Sequence, residues 1–363
     1  MRRAILLLLL LFAGSARAKD DAYEIFLPSN YDAKKTWPIV YALDARGNAE
    51  EPLQSLRAAA DELGFIIASS YKSASDESNS PNVTAMREMW TGTHAKLSID
   101  DKRAYIAGFS GTVRAGVILA LKAPGTISAI IGAGAGFPAD RQPDASMKFA
   151  FFGTVGTRDF NYSEMQELEK KLTAAGIEHR IEEFGGTHEW MPSAVGREAL
   201  AWLTLREMRN GTRPRDAALI EKLWQEDLSR AAAMPILPRW RLLQYIGRDY
   251  EGLHDTSALS SRTVDAKEYQ KAQKKLDREL QEEAEALANA ERIVATSKTS
   301  ADAIRALHLD ALKKRTDDSS KRILNTILAQ TGFYLPREMH DRGDLAREAY
   351  FREIAAAIKE PRQ

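Results

Sequence analysis

The first 208 residues alternate short apolar runs with stretches whose apolar residues recur at helical spacing. Residues 38–43 form a continuous apolar run, which is typical of a strand buried on both faces of a sheet. The predicted strands are 23–27, 38–43, 65–68, 104–109, 128–131, 148–152 and 178–184, with helices at 55–63, 163–175 and 193–208. Strands that alternate with helices predict an α/β fold with a mostly parallel sheet covered on both faces.

A polar segment at residues 209–215 ends this pattern, and beyond it the strand signal disappears. Helices are predicted at 216–234, 239–250, 266–298, 300–314, 319–331 and 337–359. The sequence therefore predicts an α/β domain over residues 19–208, a linker at 209–215 and an all-α domain over 216–363.

The last predicted helix has features of a tetratricopeptide unit. Gly343, Ala349 and Ala356 are small residues that would allow close helix packing, and Pro361 would end the unit. They are not accompanied by a clear repeat with a period of about 34 residues. Both a TPR-like array and an ordinary helical bundle therefore stay open for this half.

Residues 1–18 have the three parts of a secretory signal peptide. Arg2 and Arg3 precede an apolar core at residues 5–12, and residues 16–18 (Ala-Arg-Ala) match a cleavage pattern. The core is shorter than the stretch of about 20 residues that spans a membrane. We predict cleavage after residue 18, export to the periplasm or the medium, and no stable membrane span afterwards; an uncleaved anchor is the alternative.

The composition narrows the classes of function. Lys and Arg total 51, as do Asp and Glu, so the balanced charge points to no nucleic-acid partner. The chain has no cysteine, which excludes disulfides, thiolate nucleophiles and cysteine-ligated metals. At 363 residues it is long enough to build a core without disulfides. These counts are consistent with an exported globular enzyme.

The residues around Ser110 carry the strongest chemical signal. The predicted strand 104–109 runs directly into Ser110-Gly111-Thr112, and a helical stretch follows at once. A strand, a sharp turn and a helix with serine at the apex form the nucleophile elbow of α/β-hydrolases. The strained turn presents the hydroxyl beyond the end of the sheet, and small neighbours allow it to form.

A serine hydroxyl becomes a nucleophile when a base lies within reach and a carboxylate orients that base. Asp159 and His188 each follow the end of a predicted strand, and they complete the chain order Ser, Asp, His. We therefore predict a catalytic triad of Ser110, Asp159 and His188. Taken singly, these residues could be a turn serine, a helix N-cap and a surface histidine. Asp140, behind another predicted strand, is the alternative acid.

A tetrahedral oxyanion requires two backbone amides that are already in place. We predict that Gly111 supplies one and Arg46 the other, with Ala45 as the second choice. Asp44, at the start of the same loop, is predicted to hold the loop by hydrogen bonds. Trp190 is predicted to line the substrate pocket, with simple packing as the alternative.

Three segments together resemble the dienelactone hydrolases and the polyhydroxybutyrate-depolymerase-like esterases. They are Asp101-x-Arg103-x-Tyr105-x-x-Gly108-x-Ser110-Gly111, Asp159-Phe160-Asn161-Tyr162 and Gly186-Thr187-His188-Glu189-Trp190. The resemblance covers about residues 22–208. It implies an α/β-hydrolase fold and a serine esterase mechanism without metal or cofactor.

Two positions depart from the pattern of that family. Thr112 stands where the elbow usually has a second glycine, and Asp44-Ala45 replaces a common His-Gly pair. A β-branched residue at position 112 would crowd the approach of strand and helix. The sequence therefore predicts either a tolerated substitution or a relaxed, weakly active elbow.

Together these observations predict an exported serine hydrolase that cleaves a small-molecule carboxylic ester through an acyl-enzyme. A peptidase on the same fold would use the same residues. The alternative from another class is a catalytically degenerate hydrolase fold that serves as a scaffold. In that case residues 216–363 would bind a protein partner or a second copy of the chain.

Overall fold

Within the part of the chain that this computed structural model describes, residues 22–75, 80–257, 259 and 264–359, seven strands form one sheet. The strands are β1 (Tyr23–Phe26), β2 (Trp37–Leu43), β3 (Ile66–Ser70), β4 (Ile99–Phe109), β5 (Ala129–Ala133), β6 (Ala150–Gly156) and β7 (His179–Phe184). Their order is β1-β3-β2-β4-β5-β6-β7, and every neighbouring pair is parallel except β1 and β3. This is the arrangement of an α/β-hydrolase, and the predicted fold class is confirmed. The predicted signal peptide at residues 1–18 lies outside the described residues.

The strand order reverses between β2 and β4. The chain passes from β2 outward to β3 and then returns to place β4 on the other side of β2. In open α/β sheets such a switch point leaves a crevice beyond the carboxyl ends of the two strands. The residues that follow β2 and β4, including Ser110, therefore lie where this fold places its ligands.

The helices of the first half cover both faces of the sheet. They are α1 (Glu50–Leu63), α2 (Ser80–Lys96), α3 (Gly111–Lys122), α4 (Tyr162–Ala174) and α5 (Ser193–Arg209). Successive side chains of a strand point to opposite faces, so Val40 and Ala42 of β2 pack with α1 and α5. Ile39 and Tyr41 pack on the other face with α2, α3 and α4. Both sets are fully buried.

Two local predictions were incomplete. Helix α2 was not predicted, because its buried apolar face is narrow and consists of Ala85, Met86 and Met89. Strand β4 starts at Ile99, five residues before the predicted start, and the exposed Asp101 and Lys102 near its start mask the strand pattern there.

The first two helices after the predicted linker pack on the sheet. Helices α6 (Ala217–Ala233) and α7 (Ile236–Asp249) bury apolar side chains in the same hydrophobic cluster as α1 and α5. The fully buried Arg180 of β7 pairs with Asp227 of α6 at 3.1 Å and with Asp249 of α7 at 3.6 Å. The hydrophobic cluster of the sheet therefore extends beyond residues 209–215 as far as α7, and the predicted domain bounds stay a prediction.

The remaining helices form a separate hydrophobic cluster. They are α8 (Ala266–Thr296), α9 (Ser300–Ala306), α10 (Leu309–Lys314), α11 (Asp318–Ala329), α12 (Leu335–Asp341) and α13 (Leu345–Lys359). The predicted helix 300–314 is broken at His308, whose φ is 49°, and the predicted helix 337–359 is broken at Gly343, whose φ is 75°. A π-helical turn at Gln330–Tyr334 joins α11 to α12. The TPR-like organisation stays a prediction.

No helix in the described ranges is both long enough and apolar enough to cross a membrane.

Candidate active site

Ser110 stands at the turn between β4 and α3 in a backbone conformation that few residues adopt. Its φ is 56° and its ψ is −129°, and it is 7% exposed. A non-glycine residue at positive φ costs roughly 1–3 kcal/mol and persists only when its surroundings hold it. Gly108 makes the close turn possible, because a Cβ there would lie 2.8 Å from the Val113 amide nitrogen. The elbow is therefore formed and strained, not relaxed.

Thr112 is accommodated within this elbow by hydrogen bonds. Its side chain is fully buried, and its Oγ1 donates to the Leu43 carbonyl at 2.5 Å. The same oxygen accepts from the Phe109 amide at 2.9 Å. The hydroxyl thus joins the carboxyl end of β2 to that of β4. A glycine at this position could make neither contact.

The structure brings the three residues of the predicted triad into one chain of hydrogen bonds. Ser110 Oγ lies 2.9 Å from His188 Nε2, and His188 Nδ1 lies 2.9 Å and 3.0 Å from the two Asp159 carboxylate oxygens. A carboxylate can only accept, so Nδ1 carries the proton and Nε2 is free to accept from the serine hydroxyl. Asp159 is fully buried, whereas the side chain of His188 is 18% exposed. The arrangement can move a proton from serine to histidine.

Two aromatic side chains contact the His188 ring. The Phe160 ring centroid lies 4.1 Å from that of His188, and the Phe109 centroid lies 4.8 Å away. Phe160 follows Asp159 directly, and Phe109 precedes Ser110 directly. The residues that adjoin Asp159 and Ser110 in sequence therefore restrict the orientation of the His188 ring.

Sequence reasoning did not assign a role to Gly134, which lies against the triad. Its φ is +65°, and a Cβ there would stand 3.0 Å from both Asp159 Oδ2 and His188 Nδ1. Asn161 binds this loop, because its Nδ2 donates to the Gly134 carbonyl at 2.7 Å. The Asn161 amide also donates to Asp159 Oδ1 at 2.8 Å. Asn161, which makes both contacts, is part of the recognised motif Asp159-Phe160-Asn161. Its partner Gly134 is distant in sequence, so the motif alone does not reveal the contact.

The loop after β2 differs from the prediction at one residue. The Arg46 amide donates to Asp44 Oδ1 at 2.8 Å, so in this conformation it is not available to an oxyanion. Among the loops, turns and helix caps of the described residues, neither the Ala45 amide nor the Gly111 amide donates a hydrogen bond. Ala45, the second choice, therefore replaces Arg46 as the candidate donor opposite Gly111.

Asp44 holds the loop, as predicted. The side chain is fully buried and accepts from the Arg46 amide, from the Asn48 amide at 3.0 Å and from Trp190 Nε1 at 2.8 Å. Trp190 is 7% exposed and packs on Phe109, with the ring centroids 6.0 Å apart. Its position matches the packing alternative, because the indole lies in the core and donates to Asp44.

The alternative acid lies away from the base. The side chain of Asp140 is 71% exposed and lies 3.5 Å from Arg141. Asp159, in contrast, is joined to His188 by two short contacts. In the described part of the chain, no group of three or more His, Asp or Glu side chains is arranged to hold a metal ion.

Tyr162, at the start of α4, is linked to the charged residues around β7. Burial raises the pKa of its phenol, and the neighbouring Glu183 carboxylate raises that pKa further. The phenol therefore stays neutral and donates to Glu183 Oε2 at 3.1 Å. This contact anchors the C-terminal end of the loop that carries Asp159.

Comparison with protein-family models and with curated proteins finds no match for this chain. Several solved structures are similar to about half of it. An S-formylglutathione hydrolase from Staphylococcus aureus is 15% identical, with 48% of this chain and 84% of that chain covered and a TM-score of 0.39. A feruloyl esterase module from Clostridium thermocellum is 14% identical, with 50% and 81% covered and a TM-score of 0.40. A bacterial heroin esterase is 16% identical, with 50% and 78% covered and a TM-score of 0.41.

Similarity at this level assigns no activity to the chain. The chemistry open to this chain follows from the geometry around Ser110.

Proposed function

We propose that this protein is a serine hydrolase that cleaves carboxylic esters through an acyl-enzyme on Ser110. The observation that carries the proposal is the continuous hydrogen-bond chain from Ser110 Oγ through His188 to Asp159, with contacts of 2.9 Å, 2.9 Å and 3.0 Å. Ser110 also has the positive φ of a nucleophile elbow. The nucleophile and its base therefore lie within hydrogen-bond distance at the end of the sheet.

In the first half of the reaction, His188 Nε2 takes the proton of Ser110 as the hydroxyl attacks the ester carbonyl. Asp159 keeps the proton on Nδ1 and stabilises the imidazolium that forms. The amides of Gly111 and Ala45 donate to the oxyanion of the tetrahedral intermediate. The imidazolium then gives its proton to the departing alcohol, which leaves an ester bond between the acyl group and Ser110.

In the second half, water attacks the acyl-enzyme. His188 takes the proton of that water, and the same two amides hold the second oxyanion. Collapse of the intermediate releases the carboxylic acid and returns the proton to Ser110. Every step uses side chains and backbone amides of this chain, with no metal or cofactor.

The motifs around Ser110, Asp159 and His188 favour a dienelactone-hydrolase or polyhydroxybutyrate-depolymerase-like esterase within this mechanism. Export with removal of residues 1–18 is part of the proposal, because residues 2, 3, 5–12 and 16–18 form a signal pattern. Expression in a bacterial host followed by intact-mass measurement of the exported protein would check it. A mass that retains residues 1–18 would favour the uncleaved anchor.

The decisive experiment is intact-mass analysis after exposure to a fluorophosphonate probe. We expect one stoichiometric adduct on the wild-type protein, no adduct on Ser110→Ala and much slower labelling of His188→Ala. Asp159→Asn should also slow labelling strongly, because the wrong tautomer of histidine is then favoured. The matched control is Asp140→Asn, which removes the other candidate acid and should label at the wild-type rate.

The absence of an adduct on folded wild-type protein would contradict the proposal and would favour the scaffold alternative. If an adduct forms, rates on p-nitrophenyl esters and on aminoacyl amides separate an esterase from a peptidase. We expect turnover of the esters, because the amines of amides are poorer leaving groups and require further positioning of the general acid.

A further inference from the structure

The loop that carries Asp159 is attached to the loop of His188 through its amides. The Thr157 amide donates to the Phe184 carbonyl at 2.8 Å, and the Arg158 amide donates to the Gly186 carbonyl at 2.9 Å. These bonds join the carboxyl ends of β6 and β7. The carbonyl groups of Thr157 and Arg158 bind a different element.

The carbonyl groups are bound by side chains of α11, in the helical half of the protein. The Thr157 carbonyl accepts from Arg322 Nη1 at 2.8 Å, and the Arg158 carbonyl accepts from Asn325 Nδ2 at 2.7 Å. The two donors are separated by 165 and 167 residues from the carbonyls that they bind. Thr157 and Arg158, the two residues immediately before Asp159, are therefore held between the His188 loop and α11.

Arg322 contacts this loop on both sides of the acid. Besides binding the Thr157 carbonyl, its guanidinium lies 4.5 Å from the ring centroid of Tyr162. The Tyr162 amide in turn donates to the Asp159 carbonyl at 3.1 Å. One buried cation thus touches residues 157 and 162, which enclose the acid in sequence.

Glu283 of α8 fixes Arg322 in this position. Its Oε2 accepts from Arg322 Nε at 2.8 Å and lies 2.8 Å from Nη2, and both side chains are 6% exposed. Ser319 Oγ donates to the same oxygen at 3.2 Å. A buried guanidinium must satisfy its donors, and the planar fork leaves Nη1 directed at the loop. The ion pair therefore prepares the donor that binds the Thr157 carbonyl.

We propose that Arg322 and Asn325 are positioning residues for Asp159, and that α8 and α11 thereby support the active site. The inference rests on the proposed function, because it concerns the acid of that same triad. When the two carbonyl contacts are lost, the peptide units at 157 and 158 can rotate, and the Asp159 carboxylate shifts relative to His188 Nδ1. Misplacement of a catalytic group by about 1 Å is enough to slow a reaction about a hundredfold.

Two variants remove one contact each. Arg322→Lys keeps the positive charge beside Glu283 but loses the planar fork that reaches two acceptors at once. Asn325→Ala removes the donor to the Arg158 carbonyl. Thr326→Ala is the matched control, because Thr326 lies next on α11 and its Oγ1 donates to the Arg322 carbonyl of the helix itself. Thermal unfolding of each variant shows whether it is folded.

The first readout is the rate of fluorophosphonate labelling at Ser110 per active site, measured as a function of pH. We expect Arg322→Lys and Asn325→Ala to lower this rate about tenfold to a hundredfold and to change the apparent pKa of its pH profile, which reports the base. Thr326→Ala should keep both. A role in stability alone would lower the folded fraction and leave the rate per active site and its pH profile unchanged.

The second readout does not depend on activity. The Nδ1 proton that His188 shares with Asp159 should give a downfield proton resonance in the wild-type spectrum, absent in His188→Ala. We expect this resonance to shift or broaden in Arg322→Lys and Asn325→Ala and to stay in place in Thr326→Ala. If Arg322→Lys does not fold, Asn325→Ala decides the outcome.

The two proposals fail in different ways. A wild-type protein that resists the probe but shows the downfield resonance, displaced in the two variants, contradicts the proposed function and leaves the positioning role supported. Folded variants that keep the wild-type resonance, labelling rate and pH profile would overturn the positioning role while the hydrolase proposal stands.

Discussion

Asn161 and Gly134 are joined by a hydrogen bond of 2.7 Å that links the loop after β6 to the loop after β5. Asn161 also donates its amide to the Asp159 carboxylate, and Gly134 passes close to both Asp159 and His188. The bond therefore ties together two segments that enclose the acid–base pair. Neither residue takes part in proton transfer, yet both determine how closely the backbone approaches Asp159 and His188.

Gly134→Ala should disturb the acid–base pair directly. A Cβ at this position lies 3.0 Å from Asp159 Oδ2 and His188 Nδ1, so these groups have to move by a few tenths of an ångström. The positive φ adds a destabilisation of about 1–2 kcal/mol. We expect labelling of Ser110 by the fluorophosphonate probe to slow at least about tenfold.

Gly176→Ala is the control for Gly134→Ala. Its φ of +66° is nearly the same, but no atom lies within 4 Å of the Cβ that would be added. In denaturant titrations, Gly176→Ala should lose about 1–2 kcal/mol of unfolding free energy because of its positive φ. Ser110 should be labelled at the wild-type rate in this variant. Equal labelling rates in the two alanine variants would contradict the role given to Gly134.

Thr112→Val tests whether the hydroxyl of the elbow is needed. Valine has nearly the same shape but lacks the hydroxyl that binds the Leu43 carbonyl and the Phe109 amide. Loss of an intramolecular hydrogen bond costs about 0.5–1.5 kcal/mol. We expect a lower free energy of unfolding and slower labelling of Ser110.

Thr112→Ser retains the hydroxyl and should stay close to the wild-type protein in both measurements. If Thr112→Val is as stable and is labelled as fast as Thr112→Ser, the elbow does not need the hydroxyl.

Arg180→Met should destabilise the contact between the sheet and helices α6 and α7. The arginine is fully buried and pairs with Glu182 at 2.6 Å, as well as with Asp227 and Asp249. Removing one partner of a buried ion pair costs about 3–5 kcal/mol, because the remaining charges are left uncompensated. Chemical denaturation monitored by tryptophan fluorescence measures this loss.

The control is Arg305→Met, in the helical cluster. The side chain of Arg305 is 73% exposed and pairs with Asp302 three residues earlier. Exposed pairs of this kind contribute about 0–1 kcal/mol. A loss at Arg180 no larger than that at Arg305 would contradict the role of the Arg180 ion pairs in holding α6 and α7.

His179 makes the stability depend on pH. Burial lowers the pKa of its imidazole to about 4, against an ordinary value of about 6.5 in an unfolded chain. Because the unfolded state binds the proton more tightly, this contribution is fully present above about pH 6.5 and is lost as the pH falls toward 4. The corresponding loss is about 3 kcal/mol.

This contribution should be absent in His179→Gln, which has no group that titrates in this range. As the pH falls from 7 to 4, the free energy of unfolding of the wild-type protein should therefore fall by about 3 kcal/mol relative to that of His179→Gln. Parallel curves would contradict burial of a neutral imidazole at this position.

The sequence by itself determined the architecture of the first half and the candidates for chemistry. Continuous apolar runs predict buried parallel strands because a strand covered on both faces needs apolar side chains at every position. Chain order and strand ends then place Ser110, Asp159 and His188 at one edge of the sheet. These features are local, so each can be recognised within a few neighbouring residues.

Only the tertiary structure decided which groups meet at that edge. The choice between Arg46 and Ala45 depends on the direction of the Asp44 carboxylate, and the support of Asp159 by Arg322 joins segments more than 160 residues apart. The docking of α6 and α7 likewise depends on buried partners such as Arg180 on another element. Such contacts follow from how whole elements pack and from which polar groups are then buried together, and no short segment of sequence carries that information.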